Sequence, residues 1–296
     1  NENAKENEIK YVINRDYLNR AREIIDWALD DGFYVMTNIH HDSWIWLKNW
    51  DGDTSSEEYR MYTDFWKQLA ETFKDESDKL CFETINEYSP EATGEMTAND
   101  KVMAVNKSAY DIIRQSGGKN GTRMIVIPSL YHNHEEANSS VLHDFLKTLD
   151  DENIIATVHY YSEWVYSANL GRTGFDEDLF GNGNYTPRDS VDAFMKTLRE
   201  QFLSEGIGVI TSEYGLGYDQ GENCLQTGEE LKYYDYINAK ARENNVCLMF
   251  WDNGSGINRE SSDYSWKQEN VGKTIEAAMK ERISYATGLD TIYIAE

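Results

Sequence analysis

Short apolar runs alternate with longer amphipathic stretches along almost all of this 296-residue chain. The runs are FYVMTNI, LCFETIN, TRMIVIP, IIATVHY, IGVITSE and VCLMFW. They are nearly continuously apolar, the pattern of strands covered on both faces by helices. The segment DYLNRAREIIDWALDDG has apolar residues at helical spacing and stops at Gly32. Further helices are predicted near 57–74, 100–115, 136–149, 189–204, 228–244 and 268–282. Strand–helix repeats of this kind imply a parallel sheet. The expected class is α/β, a TIM-type (β/α) barrel, incomplete with six strand–helix units where a closed barrel has eight.

Composition narrows the partners. Acidic residues number 53 against 28 basic ones, for a net charge of -25. That field repels nucleic acid and anionic lipid but not a neutral polymer. No run is long and apolar enough to cross a membrane, and the opening NENAKENEIK lacks an apolar signal core. The 20 Tyr and 8 Trp suit a large core and also the apolar platforms of a sugar-binding cleft. Cys81 and Cys247 fall in predicted strands and are expected to be buried thiols; Cys224 completes an odd set without a CxxC.

Polar residues gather where the predicted strands end, the active face of such barrels. The first strand ends in His40, His41 and Asp42, the second in Asn86 and Glu87, and the fourth in His159 and Tyr161. The fifth ends in Glu213 and the sixth in Trp251. Two strand-end carboxyls that converge are the minimum equipment for cleaving a glycosidic bond: one protonates the leaving oxygen, the other attacks or activates water. Taken alone, such acids are also common as salt-bridged structural residues.

The pieces NIHHD, FETINE, VHYY, SEYG and MFWDNG, in this order and spacing, resemble glycoside hydrolase family 5, the endoglucanase family. The resemblance runs from about Tyr17 to Ile283 and looks nearest to the branch of bacterial endoglucanases and xyloglucanases. It implies Glu87 as acid/base and Glu213 as nucleophile of a retaining endo-β-1,4-glucanase. It implies Asn86 as a hydrogen-bond partner of the sugar 2-hydroxyl, with His40 and His159 orienting carboxylates or hydroxyls. Tyr161 would hold Glu213 ionised, Trp251 would floor the reacting sugar, and His41 and Asn253 would be further sugar contacts. No metal and no organic cofactor is called for. The substrate is expected to be a β-glucan polysaccharide, and the location extracellular.

Two departures stand out. Tyr88 follows the acid/base where the family usually has Pro. The family's first two strands, with an Arg that hydrogen-bonds the nucleophile, have no counterpart before Asp16. Residues 1–283 are therefore expected to form a glycosidase barrel lacking two strands, and 284–296 an extended tail, a link to an appended module. Unpaired edges near FYVMTNI and VCLMFW leave three outcomes: a fragment of a longer product, association of two chains into a homodimer, which is the one favoured, or a gap plugged by the tail and N-terminal segment. The alternative function is a catalytically impaired carbohydrate-binding barrel. Trp44, Trp46 and Trp50 are candidates for a stacking wall, as is Trp164, against simple packing of rim loops. His132 and His134 form an HxH that would serve a metal-dependent hydrolase, against a plain polar rim.

Overall fold

The computed structural model describes residues 9–217, 228–254 and 256–279. Its strands are β1 (Val35–Asn38), β2 (Leu80–Glu83), β3 (Ile125–Pro128), β4 (Ile154–Tyr160), β5 (Gly208–Tyr214) and β6 (Cys247–Phe250). They form one sheet in sequence order, and the β1–β2, β2–β3, β3–β4 and β5–β6 pairs run parallel. Between them lie α1 (Arg15–Asp30), α2 (Glu57–Phe73), α3 (Ala98–Gln115), α4 (Glu136–Leu149), α5 (Pro187–Gln201), α6 (Glu229–Asn244) and α7 (Glu269–Met279). These are six strand–helix units of a TIM-type (β/α) barrel, as the alternation predicts. Side chains cap the starts of α1, α2, α3 and α5. Thr97 and Asp100 form a reciprocal capping box at α3, and Thr186 and Asp189 do the same at α5, where Pro187 takes the first position.

The chain divides into two compact units, Asn1–Asn133 with Ala137–Thr157, and His134–Glu136 with Val158–Glu296. In the first, alternate residues of β2 face the helices. Phe82 meets Trp66 and Phe73 of α2 at ring distances of 5.7 and 6.4 Å. The Thr84 carbonyl accepts from Tyr62 Oη and Trp66 Nε1, each at 3.0 Å. Asn106 of α3 accepts from Thr84 Oγ1 at 2.7 Å and donates to the Pro128 carbonyl at 2.9 Å. Buried Arg123, just before β3, donates to the carbonyls of Phe73, Glu76, Ser77 and Leu80 and to Asn120 Oδ1. One guanidinium thus ties together the C-terminus of α2 and its turn into β2, adding a second donor to the Phe73 and Ser77 carbonyls, which already accept from the backbone N–H groups of Glu76 and Leu80.

The second unit has an aromatic core. Tyr160 stacks on Phe194 of α5 at 4.1 Å, and Tyr214 of β5 packs edge-on against Tyr234 and Phe250. Arg188 lies over the rings of Phe175 and Tyr236 at 4.8 and 4.5 Å, a cation–π arrangement.

The inner strands match the expectation of two-sided burial, and the edge strands do not. Every residue of β3 is buried, but β1 is half-buried throughout and β6 alternates exposed with half-buried. An edge strand has a neighbour on one side only, so Cys247 at the start of β6 is exposed rather than a buried thiol. Cys81 is half-buried, its thiol 3.3 Å from the Val35 carbonyl. Beside β1 lies a cavity of about 510 Å³ lined by Val12, Leu18, Thr37, Phe65 and Leu69 among others. Trp27, Phe33 and Tyr34 are exposed on α1 and the turn into β1. Cys224 and the 284–296 tail fall outside the described residues. No helix among the described residues is long and apolar enough to cross a membrane.

Candidate active site

In the first unit the chain leaves β2 as Thr84–Glu87 and turns sharply. Glu87 takes the left-handed φ of +39°, a conformation that costs a non-glycine residue about 1–2 kcal/mol. Hydrogen bonds on both sides hold it there. Its backbone N–H donates to His132 Nδ1 at 2.9 Å, and its carbonyl accepts from Trp44 Nε1 at 3.2 Å. The next carbonyl, of Tyr88, accepts from Tyr131 N at 3.1 Å. Tyr88 itself is buried, and its hydroxyl donates to the Leu47 carbonyl at 3.2 Å. The Pro-to-Tyr departure is thus absorbed by a packed and hydrogen-bonded phenol.

Asn86 is buried with its Nδ2 3.4 Å from His40 Nε2, and the other His40 nitrogen is 3.3 Å from Asn38 Nδ2. Burial, helped by neighbouring His41, pushes the His40 imidazole below its usual range, so the ring is neutral at neutral pH. Glu83 lies inside, accepting from Asn38 Nδ2 at 2.6 Å on Oε2 and meeting His132 Nε2 at 3.2 Å on Oε1. Trp44 stands in the loop after β1, two-fifths exposed, beside the rings of His40 and His41.

The second unit carries the other carboxylate. Thr211 and Tyr214 of β5 oppose Leu248 and Phe250 of β6, so β5 has one residue more than its partner between these points. This bulge spans Ser212 and Glu213, where it re-aims a side chain at the strand's end. Glu213 is buried, and Tyr161 Oη donates to its Oε2 at 2.7 Å. His159 Nδ1 is 3.5 Å from the same oxygen, and its Nε2 is 3.1 Å from Ser212 Oγ. A carboxylate with a hydroxyl donor is favoured in its charged form. Trp251 follows β6, its N–H on the Tyr214 carbonyl and its ring 38% exposed, and Asn253 is exposed two residues on.

The sequence-predicted residues therefore fall into two sets. His40, His41, Trp44, Asn86 and Glu87 gather in the first unit; His159, Tyr161 and Glu213 gather in the second. Of the remaining Trp candidates, Trp50 is a core residue stacked on Tyr59, and Trp46 is half-buried, its Nε1 on Asp42. Trp164 is 61% exposed. The HxH pair divides: both nitrogens of His132 are occupied by Glu83 and the Glu87 N–H, while His134 packs edge-on against Tyr160 and Phe194. Glu83 and Asn38 join the first set without ending an apolar run in the sequence. A charge inside the apolar run LCFETI was the available signal, since an acid in a two-face-buried strand needs dedicated partners.

Residues 2–256 match the family model described as Cellulase (glycosyl hydrolase family 5). The chain is 34% identical to Endoglucanase B of Paenibacillus lautus over 97% of this chain and 49% of that protein. It is 30% identical to Endoglucanase A of Clostridium longisporum over 81% of this chain and 45% of that protein. Among solved structures, a trimodular subfamily-4 endoglucanase of the family superposes with a TM-score of 0.83 at 36% identity, covering 93% of this chain and 51% of that one. The tri-modular endo-β-1,4-glucanase B of Bacillus halodurans gives 0.83 at 32%, covering 93% and 50%. The chain spans about half the length of these relatives. The family match over most of its residues, with strand-end carboxylates in the order the motifs require, makes this chain a member of glycosyl hydrolase family 5, the cellulase family.

Proposed function

We propose that the protein is a retaining endo-β-1,4-glucanase acting on cellulose, mixed-linkage glucan or xyloglucan type chains. The observation that carries this reading is Glu213, set on the β5 bulge with its Oε2 2.7 Å from the Tyr161 hydroxyl. That is the equipment of a nucleophile kept ionised. In the first half-reaction a Glu213 oxygen attacks the anomeric carbon as the glycosidic C–O bond breaks, and Glu87 gives its proton to the leaving oxygen. In the second, Glu87 takes a proton from water, and the water oxygen displaces Glu213. Such a mechanism sets the two carboxyls about 5–5.5 Å apart. Asn86 Oδ1 is buried without a hydrogen-bond partner among the described residues, which suits a sugar hydroxyl. His40 and His41 follow β1 in the first unit and His159 lies near the end of β4 in the second; Trp44 and Trp251 each present a partly exposed aromatic face, and Asn253 adds a polar group.

Residues 1–283 form the glycosidase unit on this reading. The polymer is too large to enter a cell, so the protein works outside it. Two chains associate through the β1 edge, where Phe33 and Tyr34 just before the strand and Trp27 of α1 are exposed. Sedimentation velocity across a hundredfold concentration range tests this: a monomer throughout would refute it.

The function itself is tested by reducing-sugar release from mixed-linkage β-glucan and carboxymethylcellulose. The chain should release sugar, and Glu213→Gln should lose it by about 10⁴-fold. Binding of the polymer without turnover by either protein would leave a carbohydrate-binding barrel instead.

A further inference from the structure

We propose that His132 is a positioning residue for Glu87. It acts as a neutral imidazole whose Nδ1 accepts the Glu87 N–H and whose Nε2–H is fixed by Glu83. The inference rests on the reading of Glu87 as the acid/base. His132 is itself held in an unusual backbone, with φ of +51° after Tyr131 at +56°. The strained turn after β3 therefore meets the strained turn after β2, at φ +39°, through the 2.9 Å bond to Glu87 N and the 3.1 Å bond from Tyr131 N to the Tyr88 carbonyl. Strain persists where surrounding contacts over-determine it. Here the over-determination falls on the residue whose proton must be aimed.

The tautomer follows from the partners. An amide N–H is always a donor, so Nδ1 facing it must carry a lone pair. Glu83 Oε1 then accepts the Nε2–H at 3.2 Å, and Asn38 Nδ2, 2.6 Å from its other oxygen, fixes the carboxylate. His132 and Glu83 are both 1% exposed, so water does not readily replace either partner. A protonated ring, or the other tautomer, would set N–H against N–H and release the Glu87 turn.

Two substitutions separate this role from mere packing. In His132→Asn the side-chain oxygen takes the place of Nδ1 and keeps the acceptor; in His132→Gln the amide reaches the place of Nε2 and the acceptor at Nδ1 is lost. The readout is kcat/KM on cellotetraose, whose leaving group needs a proton, and on 2,4-dinitrophenyl β-cellobioside, whose leaving group does not. His132→Gln should lose about 10²-fold on cellotetraose, the scale of general-acid catalysis, with KM nearly unchanged and little loss on the aryl glycoside. His132→Asn should recover most of it. Equal losses on both substrates, no loss on either, or no difference between Asn and Gln would overturn the proposal. Glu87→Gln serves as the reference: if it too loses equally on both substrates, the acid/base reading itself has failed, a distinct outcome. Nitrogen-15 NMR of histidine-labelled wild-type chain needs no variant, and a protonated Nδ1 at His132 at neutral pH would overturn the proposal by itself.

Discussion

At the scale of residues, the site is built from side chains whose partners fix their chemical state. Tyr161 offers the cleanest test. Deleting its hydroxyl removes a 2.7 Å donor to Glu213 Oε2, a hydrogen bond to a charged acceptor worth about 1.5–3 kcal/mol. Tyr161→Phe should lower kcat/KM on soluble β-glucan by roughly 10–100-fold while leaving the thermal unfolding midpoint nearly unchanged. A loss of stability matching the loss of rate would make the phenol a structural strut. The strand-end residues could be picked out from the sequence because each terminates an apolar run and is chemically conspicuous. What joins them could not. Glu83 and His132 meet across 49 positions, and local pattern says nothing of such a contact; in sequence the HxH of His132 reads mainly as a polar rim, with a metal ligand as the lesser alternative.

At the scale of elements, helix and strand identities were legible because interior strands are apolar on both faces and helix starts carry their own caps. The predicted starts of α3 and α5 differ from the observed ones by two residues, since periodicity does not weigh the Thr97 and Thr186 boxes. Arg123 shows what pattern misses altogether: in sequence it is one basic residue in TRMIVIP, and in the fold it serves five acceptors. Arg123→Ala should destabilise the protein by about 3–5 kcal/mol, because five acceptors lose a charged donor and a buried side chain leaves a cavity. Urea unfolding should show a lower midpoint at unchanged slope. Arg123→Lys should rescue little, as an ammonium cannot span the fork of contacts.

At the scale of the whole molecule, stability should depend on pH through a group outside the catalytic set. Asp235 of α6 is 1% exposed, its Oδ1 has no hydrogen-bond partner among the described residues, and burial pushes its carboxyl up to about 7. The unfolded chain has this group near 3.9, so the native state binds the proton more tightly. Stability is therefore lost as pH rises from about 4 to about 7, and the full penalty, up to about 4 kcal/mol, persists above that. Asp235→Asn should raise the unfolding midpoint at pH 8, with the gain shrinking below pH 7 and vanishing near pH 4; a gain independent of pH would show that the carboxyl does not titrate in this window.

The bulge in β5 carries a consequence for anyone recombining these barrels. A strand is a two-stroke device, left face then right face, and the added residue between Thr211 and Tyr214 resets its parity midway. A graft that copies Glu213 into a regular strand would deliver the same letter facing the opposite way. The transferable unit is the four-residue phrase Thr211–Tyr214 together with the β6 register that reads it.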